Sequence, residues 1–336
     1  MPVSSSSSLQ SLSRVGLGCG VFSGAYGPAT QENAIAAVRT AFSSGINLVD
    51  TSPYYNDSEI KLGKALLALR PEFPRSSYHI CTKLGRYGYH TKDFDYSRER
   101  VNASVAESMR RMHTDYLDAV LCHDVEFVST SEVVDQALPE LFALKEKGTV
   151  HNVGISGYPL PVLLEIAQIQ QQRGNPLDVV LSYCNYNLHC QTLKEYVPKL
   201  RAAGVKTIVA ASPLSMGLLS SGSTPEWHPA KDEVKNAVAE CADLVDSKLL
   251  GRYDVTLAEM AEKFAFEFDG VDVHLVGART SEEVVRALAA YEGTQALKES
   301  NDGKYMEQEV QAVYEQVLRI LQPFSSYTWP SPPADA

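Results

Sequence analysis

No apolar run in these 336 residues approaches the length of roughly 18–20 continuous hydrophobic positions that a membrane-spanning helix needs. Basic charge is also scarce. Thirty Lys and Arg stand against forty-one Asp and Glu, a net charge of −11, which argues against nucleic acid or an anionic membrane surface as partner. Six cysteines (Cys19, Cys81, Cys122, Cys184, Cys190, Cys241) lack CxxC spacing, and three fall within apolar runs. Reduced, buried thiols in a cytosolic protein are therefore expected, not a disulfide framework. The eight histidines form no ligand-like cluster, so no metal site is expected. The start, 1–14, is a serine run with one arginine and no apolar segment, unlike a signal peptide. Glu32 is the first acid, which leaves a weak mitochondrial address as the alternative to the cytosol. No Gly-x-Gly-x-x-Gly follows a strand, so a Rossmann reading lacks its fingerprint.

Apolar residues make up 44% of the chain, ample for a packed core. Short apolar runs alternate with amphipathic stretches throughout. Strands are predicted at 15–22, at the run ending on Asp50, and at 78–82, 116–122, 150–155, 178–182, 205–211 and 271–276. Helices are predicted at 31–43, from an Asp57 cap through Leu69, from a Ser97 cap to Met112, and at 131–147, where Gly148 ends the run. Further helices are expected at 161–172, 191–203, 231–249 and 257–268, one more capped by Ser281, and a last at 304–321. Eight strand–helix units without a composition break indicate an α/β chain folded as a single eight-stranded (β/α)8 TIM barrel, with extra helices before and after strand eight. One domain is expected over 1–336, its core at about 14–322. A serine-rich N-terminus and an irregular tail from Pro323, with Pro330, Pro332 and Pro333, flank that core.

Barrel enzymes place their chemistry at the carboxyl ends of the strands. Three successive runs here end on Asp50, Lys83 and His123, and Tyr55 follows five positions after Asp50. Taken singly, an Asp there is a helix cap, a Lys is solvated, and a Tyr or His is packing. Together they form a proton-transfer set. A phenol with an ordinary pKa of about 10 exchanges protons poorly at neutral pH, and a nearby ammonium favours its phenolate. Asp50 can hold Lys83 by an ion pair, and His123 can orient the reacting oxygen of a carbinol–carbonyl pair.

These residues resemble the aldo-keto reductases over nearly the whole chain, from Val15 to about Tyr291. The carriers are Asp50-Thr51-Ser52-Pro53-Tyr54-Tyr55, then Ser58 to Leu66, Thr82-Lys83 and Leu121-Cys122-His123. The resemblance implies a nicotinamide cofactor and a catalytic tetrad of Asp50, Tyr55, Lys83 and His123, with Tyr55 as general acid/base. It also implies a pyrophosphate loop at Ser212-Pro213-Leu214-Ser215-Met216-Gly217-Leu218-Leu219, with Ser212, Leu214 and Gly217 binding the cofactor. Ser156 would hold the carboxamide, although the usual asparagine beside it is Gly157 here, and Ser182 is a further cofactor-binding candidate. Ser182 falls where a glutamine is common, and Ala211 where an aromatic often stacks. These departures, together with Trp227-His228-Pro229, resemble the sugar-dehydrogenase branch, which includes D-arabinose and L-galactose dehydrogenases.

That branch implies oxidation of the anomeric C1 of an aldose, D-arabinose or the similarly configured L-galactose or L-fucose, to its lactone. Tyr87 and Tyr89, in a loop that also carries Phe94 and Tyr96, are expected to meet the sugar beside Tyr55 and His123. After strand eight, Gly277, Arg279 and Glu283 would lie at the adenosine ribose, and Glu283 there favours NAD over NADP. Two alternatives stand beside this reading: an NADP-dependent aldehyde or ketone reductase, and a non-catalytic redox-sensing partner subunit. The oligomeric state is left open.

Overall fold

A computed structural model describes Leu9 and residues 11–220, 224–299 and 308–331. The serine run at 4–8, the first residues of the last expected helix (304–307), and Pro332 and Pro333 lie outside the described residues. Eight parallel strands close into a barrel in chain order: β1 Val15–Gly18, β2 Leu48–Asp50, β3 His79–Leu84, β4 Leu117–His123, β5 Val150–Gly157, β6 Val179–Tyr183, β7 Thr207–Ala211 and β8 Val273–Gly277. Between them run α1 Gln31–Ser43, α2 Ser58–Leu69, α3 Arg98–Met112, α4 Leu138–Glu146, α5 Leu160–Gln172 and α6 Leu193–Ala202. Two helices, α7 Asp232–Leu249 and α8 Leu257–Phe266, precede β8, and α9 Ser281–Glu299 and α10 Gln308–Leu321 follow it. This is the (β/α)8 barrel expected from the alternation of apolar runs.

Period-two alternation sorts the strand residues into two layers. Leu48, Cys81, Ala119, Leu121, Val179, Leu181, Val209, Val273 and Leu275 fill the barrel interior. Their neighbours Val49, Ile80, Val120, Val153, Ile155, Val180 and Ile208 face the helices. A separate apolar cluster joins α7, α8 and α10. At the amino end of the barrel a polar side chain at the start of each even strand takes an amide from the strand before it. Ser13 N donates to Asn47 (2.8 Å), Ile80 N to Asp118 (2.8 Å), Val153 N to Asp178 (2.9 Å) and Ile208 N to Asp272 (2.6 Å). These four bonds fix the register of strand pairs at the end opposite the site.

Local differences from the expectation have local causes. β1 stops at Gly18 because 19–23 tighten into a 3-10 turn, and β3 continues through Lys83 to Leu84. Thr280, not Ser281, caps α9, since Glu283 N donates to its hydroxyl at 3.3 Å. Asp57 precedes α2 without capping it, its carboxylate pairing instead with Lys61 at 3.2 Å. Past the short turn at Gln322–Phe324 the tail is irregular, as expected, but it is tied down. Trp329 is only 6% exposed among the loops that follow the strands.

Candidate active site

The register of β2, β3 and β4 brings the polar strand ends together: Asp50 pairs with Cys81, and Lys83 with Leu121, two residues before His123. Lys83 Nζ donates to Asp50 Oδ1 at 2.5 Å and to the Thr51 carbonyl at 2.9 Å, and both charges are buried. Beyond the end of β2 at Asp50, a turn with Tyr55 N donating to Ser52 O (3.1 Å) folds the phenol back over the barrel mouth. The Tyr55 ring lies 5.0 Å from Lys83 Nζ and 5.5 Å from the His123 ring, nearly perpendicular to it at 84°. Gly20 gives the ring room, since a Cβ there would stand 3.3 Å from it.

Burial pushes the Tyr55 pKa up to about 12, against the downward pull of the Lys83 ammonium. The ammonium thus acts in the direction the sequence implies, but burial outweighs it. Burial also opposes the charge on Lys83, yet the Asp50 carboxylate more than compensates and keeps it firmly protonated. His123 is depressed by burial, then by the Lys83 and Arg86 charges, so its imidazole is neutral. Ser52 Oγ meets its Nδ1 at 2.9 Å, which leaves Nε2 toward the mouth.

Sequence reasoning missed a second buried set beside the first. Arg86 Nη1 pairs with Asp124 Oδ2 at 2.5 Å, and Nη2 donates to Tyr54 OH at 3.0 Å. Its guanidinium lies 3.8 Å above the Tyr54 ring, and Asp124 Oδ2 stands 3.5 Å from His123 Nε2. Asp124 is held at φ +52°, a left-handed position that a short polar side chain such as aspartate tolerates better than most. The available signal was an acid directly after His123 and a base just past the end of β3.

The tyrosine loop reaches this set through Tyr96 and, at the Arg86 guanidinium, through Phe94. Tyr87 does not meet the tetrad: its hydroxyl accepts from Gly85 N at 3.3 Å, and its ring lies under Arg100 of α3 at 3.9 Å. Tyr89 is 66% exposed beside His90, while Tyr96 is buried with its hydroxyl donating to the His123 carbonyl.

The expected cofactor residues lie around the same end of the barrel. Ser156 and Ser182 are buried, the first donating to Cys122 O at 3.4 Å, the second accepting from Asn185 at 2.9 Å. A Cβ at Gly157 would fall 2.5 Å from Glu126 Oε2. Among the described residues that oxygen is buried without a partner, and burial raises the Glu126 carboxyl to about 8. In the loop after β7, Ser212, Ser215, Met216 and Gly217 all take positive φ. The amides of Ser215, Gly217, Leu218 and Leu219 bond within the loop, whereas those of Leu214 and Met216 have no partner among the described residues. Unpaired amides on a left-handed turn form an anion-binding concavity, so this loop fits a pyrophosphate. Gly277 ends β8 exposed, and just beyond it Glu283 accepts from Arg279 N at 2.6 Å and from its guanidinium at 2.7 Å. The same guanidinium donates to the Tyr26 carbonyl at 2.6 Å, tying the loop after β1 to the loop after β8.

The aldo/keto reductase family profile spans residues 14–301. The chain is 37% identical to L-galactose dehydrogenase of Arabidopsis thaliana over 326 residues, covering 95% of this chain and 94% of that one. It is 43% identical to D-arabinose 1-dehydrogenase of Saccharomyces cerevisiae over 260 residues, 76% of this chain and 75% of that one. In fold it is similar to the holo form of an aldo-keto reductase from Bacillus halodurans, at a TM-score of 0.64 and 22% identity. That likeness covers 93% of this chain and 94% of the other.

Proposed function

This chain belongs to the aldo/keto reductase family and is an oxidoreductase that uses a nicotinamide cofactor; on that premise we propose that it oxidises the anomeric carbon of an aldose to a lactone, with NAD preferred. The observation that carries the substrate reading is the buried Arg86–Asp124 pair at 2.5 Å, beside His123 and Tyr54. A site built only for simple aldehydes has no use for a desolvated ion pair at its mouth, whereas vicinal hydroxyls need charged acceptors and donors side by side. Both curated relatives carry names of sugar dehydrogenases, which points the same way.

A nicotinamide, when bound, would supply the acceptor for the hydride that leaves C1. The residues of the chain handle the proton and the geometry. His123 offers neutral Nε2 to the C1 oxygen and, with Tyr55, orients it. Tyr55 receives the hydroxyl proton as C1–O becomes a carbonyl, and the Lys83 ammonium stabilises the phenolate that accepts it. Asp50 keeps Lys83 in place at 2.5 Å. Ser212, Leu214 and Gly217 would hold the pyrophosphate, Ser156 and Ser182 the carboxamide, and Gly277, Arg279 and Glu283 the adenosine side, with Tyr89 at the rim.

The test is a spectrophotometric screen of aldoses with NAD and with NADP, following reduced nicotinamide and identifying the product by NMR. Lactone formation from D-arabinose, L-galactose or L-fucose is expected. Turnover confined to simple aldehydes, with none on any aldose, would overturn the reading in favour of a reductase.

A further inference from the structure

The Trp227-His228-Pro229 stretch takes no part in the proton-transfer set, yet His228 is buried beside the loop after β7. Its Nε2 donates to the Ser215 carbonyl at 2.8 Å, and its Nδ1 accepts from Ala230 N at 3.1 Å. On the other side of the same residue, buried His189 meets Ser215 Oγ through Nε2 at 2.7 Å. Ser215 is thus gripped at both its hydroxyl and its carbonyl. It is also the residue at φ +48°, followed by Met216 at +52°, a pair of left-handed positions that non-glycine residues leave when nothing holds them. Behind the imidazoles stands the tail. Trp329 meets His228 edge-on at 5.4 Å and His189 at 6.3 Å, stacks on Tyr158 at 4.7 Å, and donates its amide to the Tyr158 hydroxyl at 3.2 Å.

We infer that His189 and His228 are positioning residues for dinucleotide binding. They clamp Ser215 in the left-handed form that leaves the Leu214 and Met216 amides free for the pyrophosphate, and Trp329 of the tail braces the clamp. This rests on the reading of the Ser212–Gly217 loop as the pyrophosphate site. It gives the histidine of the Trp-His-Pro stretch a task in cofactor affinity and none in the chemical step.

The test measures binding without turnover, by calorimetry with ADP-ribose, which carries the pyrophosphate but no nicotinamide, and with adenosine as the phosphate-free control. His228→Leu should weaken ADP-ribose binding by roughly tenfold, the weight of one strained backbone position, and leave adenosine unchanged. His228→Gln places an amide donor near the former Nε2 and should recover most of that loss. Adding Ser215→Gly to His228→Leu should recover it too, because glycine adopts positive φ without a clamp. Trp329→Ala, made outside the loop, should weaken ADP-ribose by a few-fold and serves as the reading if His228→Leu does not fold. Parent-like ADP-ribose affinity in His228→Leu, or in Trp329→Ala where that variant stands in, would overturn the inference. So would an equal loss for adenosine, or no recovery in either the Gln or the Gly background. A parent chain that binds no ADP-ribose would overturn the pyrophosphate reading itself, a separate failure.

Discussion

Tyr55 holds its proton by burial and can release it through one neighbouring charge, and this balance sets what its variants should do. Tyr55→Phe keeps the ring beside His123 and removes the ionisable group, so turnover should fall by roughly 10²–10⁴-fold while ADP-ribose affinity, measured by calorimetry, stays at the parent value. Oxidation needs the phenolate, and burial places the phenol at about 12, so kcat/KM for sugar oxidation should climb as pH rises through the neutral and alkaline range. Lys83→Met removes the charge that pulls the phenol down. Its pH–rate profile should be displaced to still higher pH, with activity at neutral pH lost first. Superimposable profiles for parent and variant would show that Lys83 acts through packing alone. Asp50, Lys83 and His123 were legible because each closes an apolar run, and a strand end in a barrel is a place with known meaning. Arg86 and Asp124 were not. A base and an acid just past strands ordinarily face water, and only the closed barrel shows that these two are buried and paired.

At the scale of the element, the turn between β8 and α9 decides how the adenosine end is read. The sequence reading takes Glu283 as favouring NAD, and the structure pairs that carboxylate with Arg279. The proposed preference for NAD then rests on a different footing. The guanidinium is committed to Glu283 and to the Tyr26 carbonyl, and Glu262 of α8 lies within the field of Glu259 and Glu283. A 2′-phosphate would have to break that clamp in an acid-rich surround, and because the pair is about one-third exposed the loss is on the order of 1 kcal/mol. Steady-state kinetics should give NAD the higher kcat/KM, and Glu283→Arg should narrow or reverse the ratio. A parent that turns over faster with NADP would rule this out. The number, order and type of the elements were readable because apolar periodicity survives loop variation. Orientation within loops was not, which is why Tyr87 points at Arg100 and away from the tetrad. The proline-bearing tail has no period to read, and its hold on the rim comes from Trp329 and Ser331, which reach Tyr158 and Glu126 through contacts remote in sequence.

The molecule as a whole balances two groups of buried titratable side chains, and their opposition sets its stability against pH. His123, His189 and His228 are depressed chiefly by burial, so the folded state keeps them neutral while the unfolded chain protonates near the ordinary value of about 6.5. That stability is present above the unfolded value and lost as pH falls toward the folded one, which for His189 is about 4. Glu126 and Glu262 do the reverse. Burial raises both to about 8, so the stability of their protonated forms is present below the ordinary carboxylate value and lost as pH rises through 8. Glu262 isolates the second effect. It sits on α8, away from Asp50, Tyr55, Lys83 and His123, and it is 7% exposed. Glu262→Gln keeps the shape of the protonated acid and removes the charge that the folded state must take up. Through Glu262, each pH unit between the ordinary carboxylate value and 8 removes at most about 1.4 kcal/mol from the parent; the variant is spared that loss, and the loss through Glu126 is common to both chains. By scanning calorimetry the two chains should melt together near pH 4.5, and the variant should gain on the order of a few °C by pH 8. A difference in Tm that stays constant from pH 4.5 to 9 would mean that Glu262 does not change its protonation on folding.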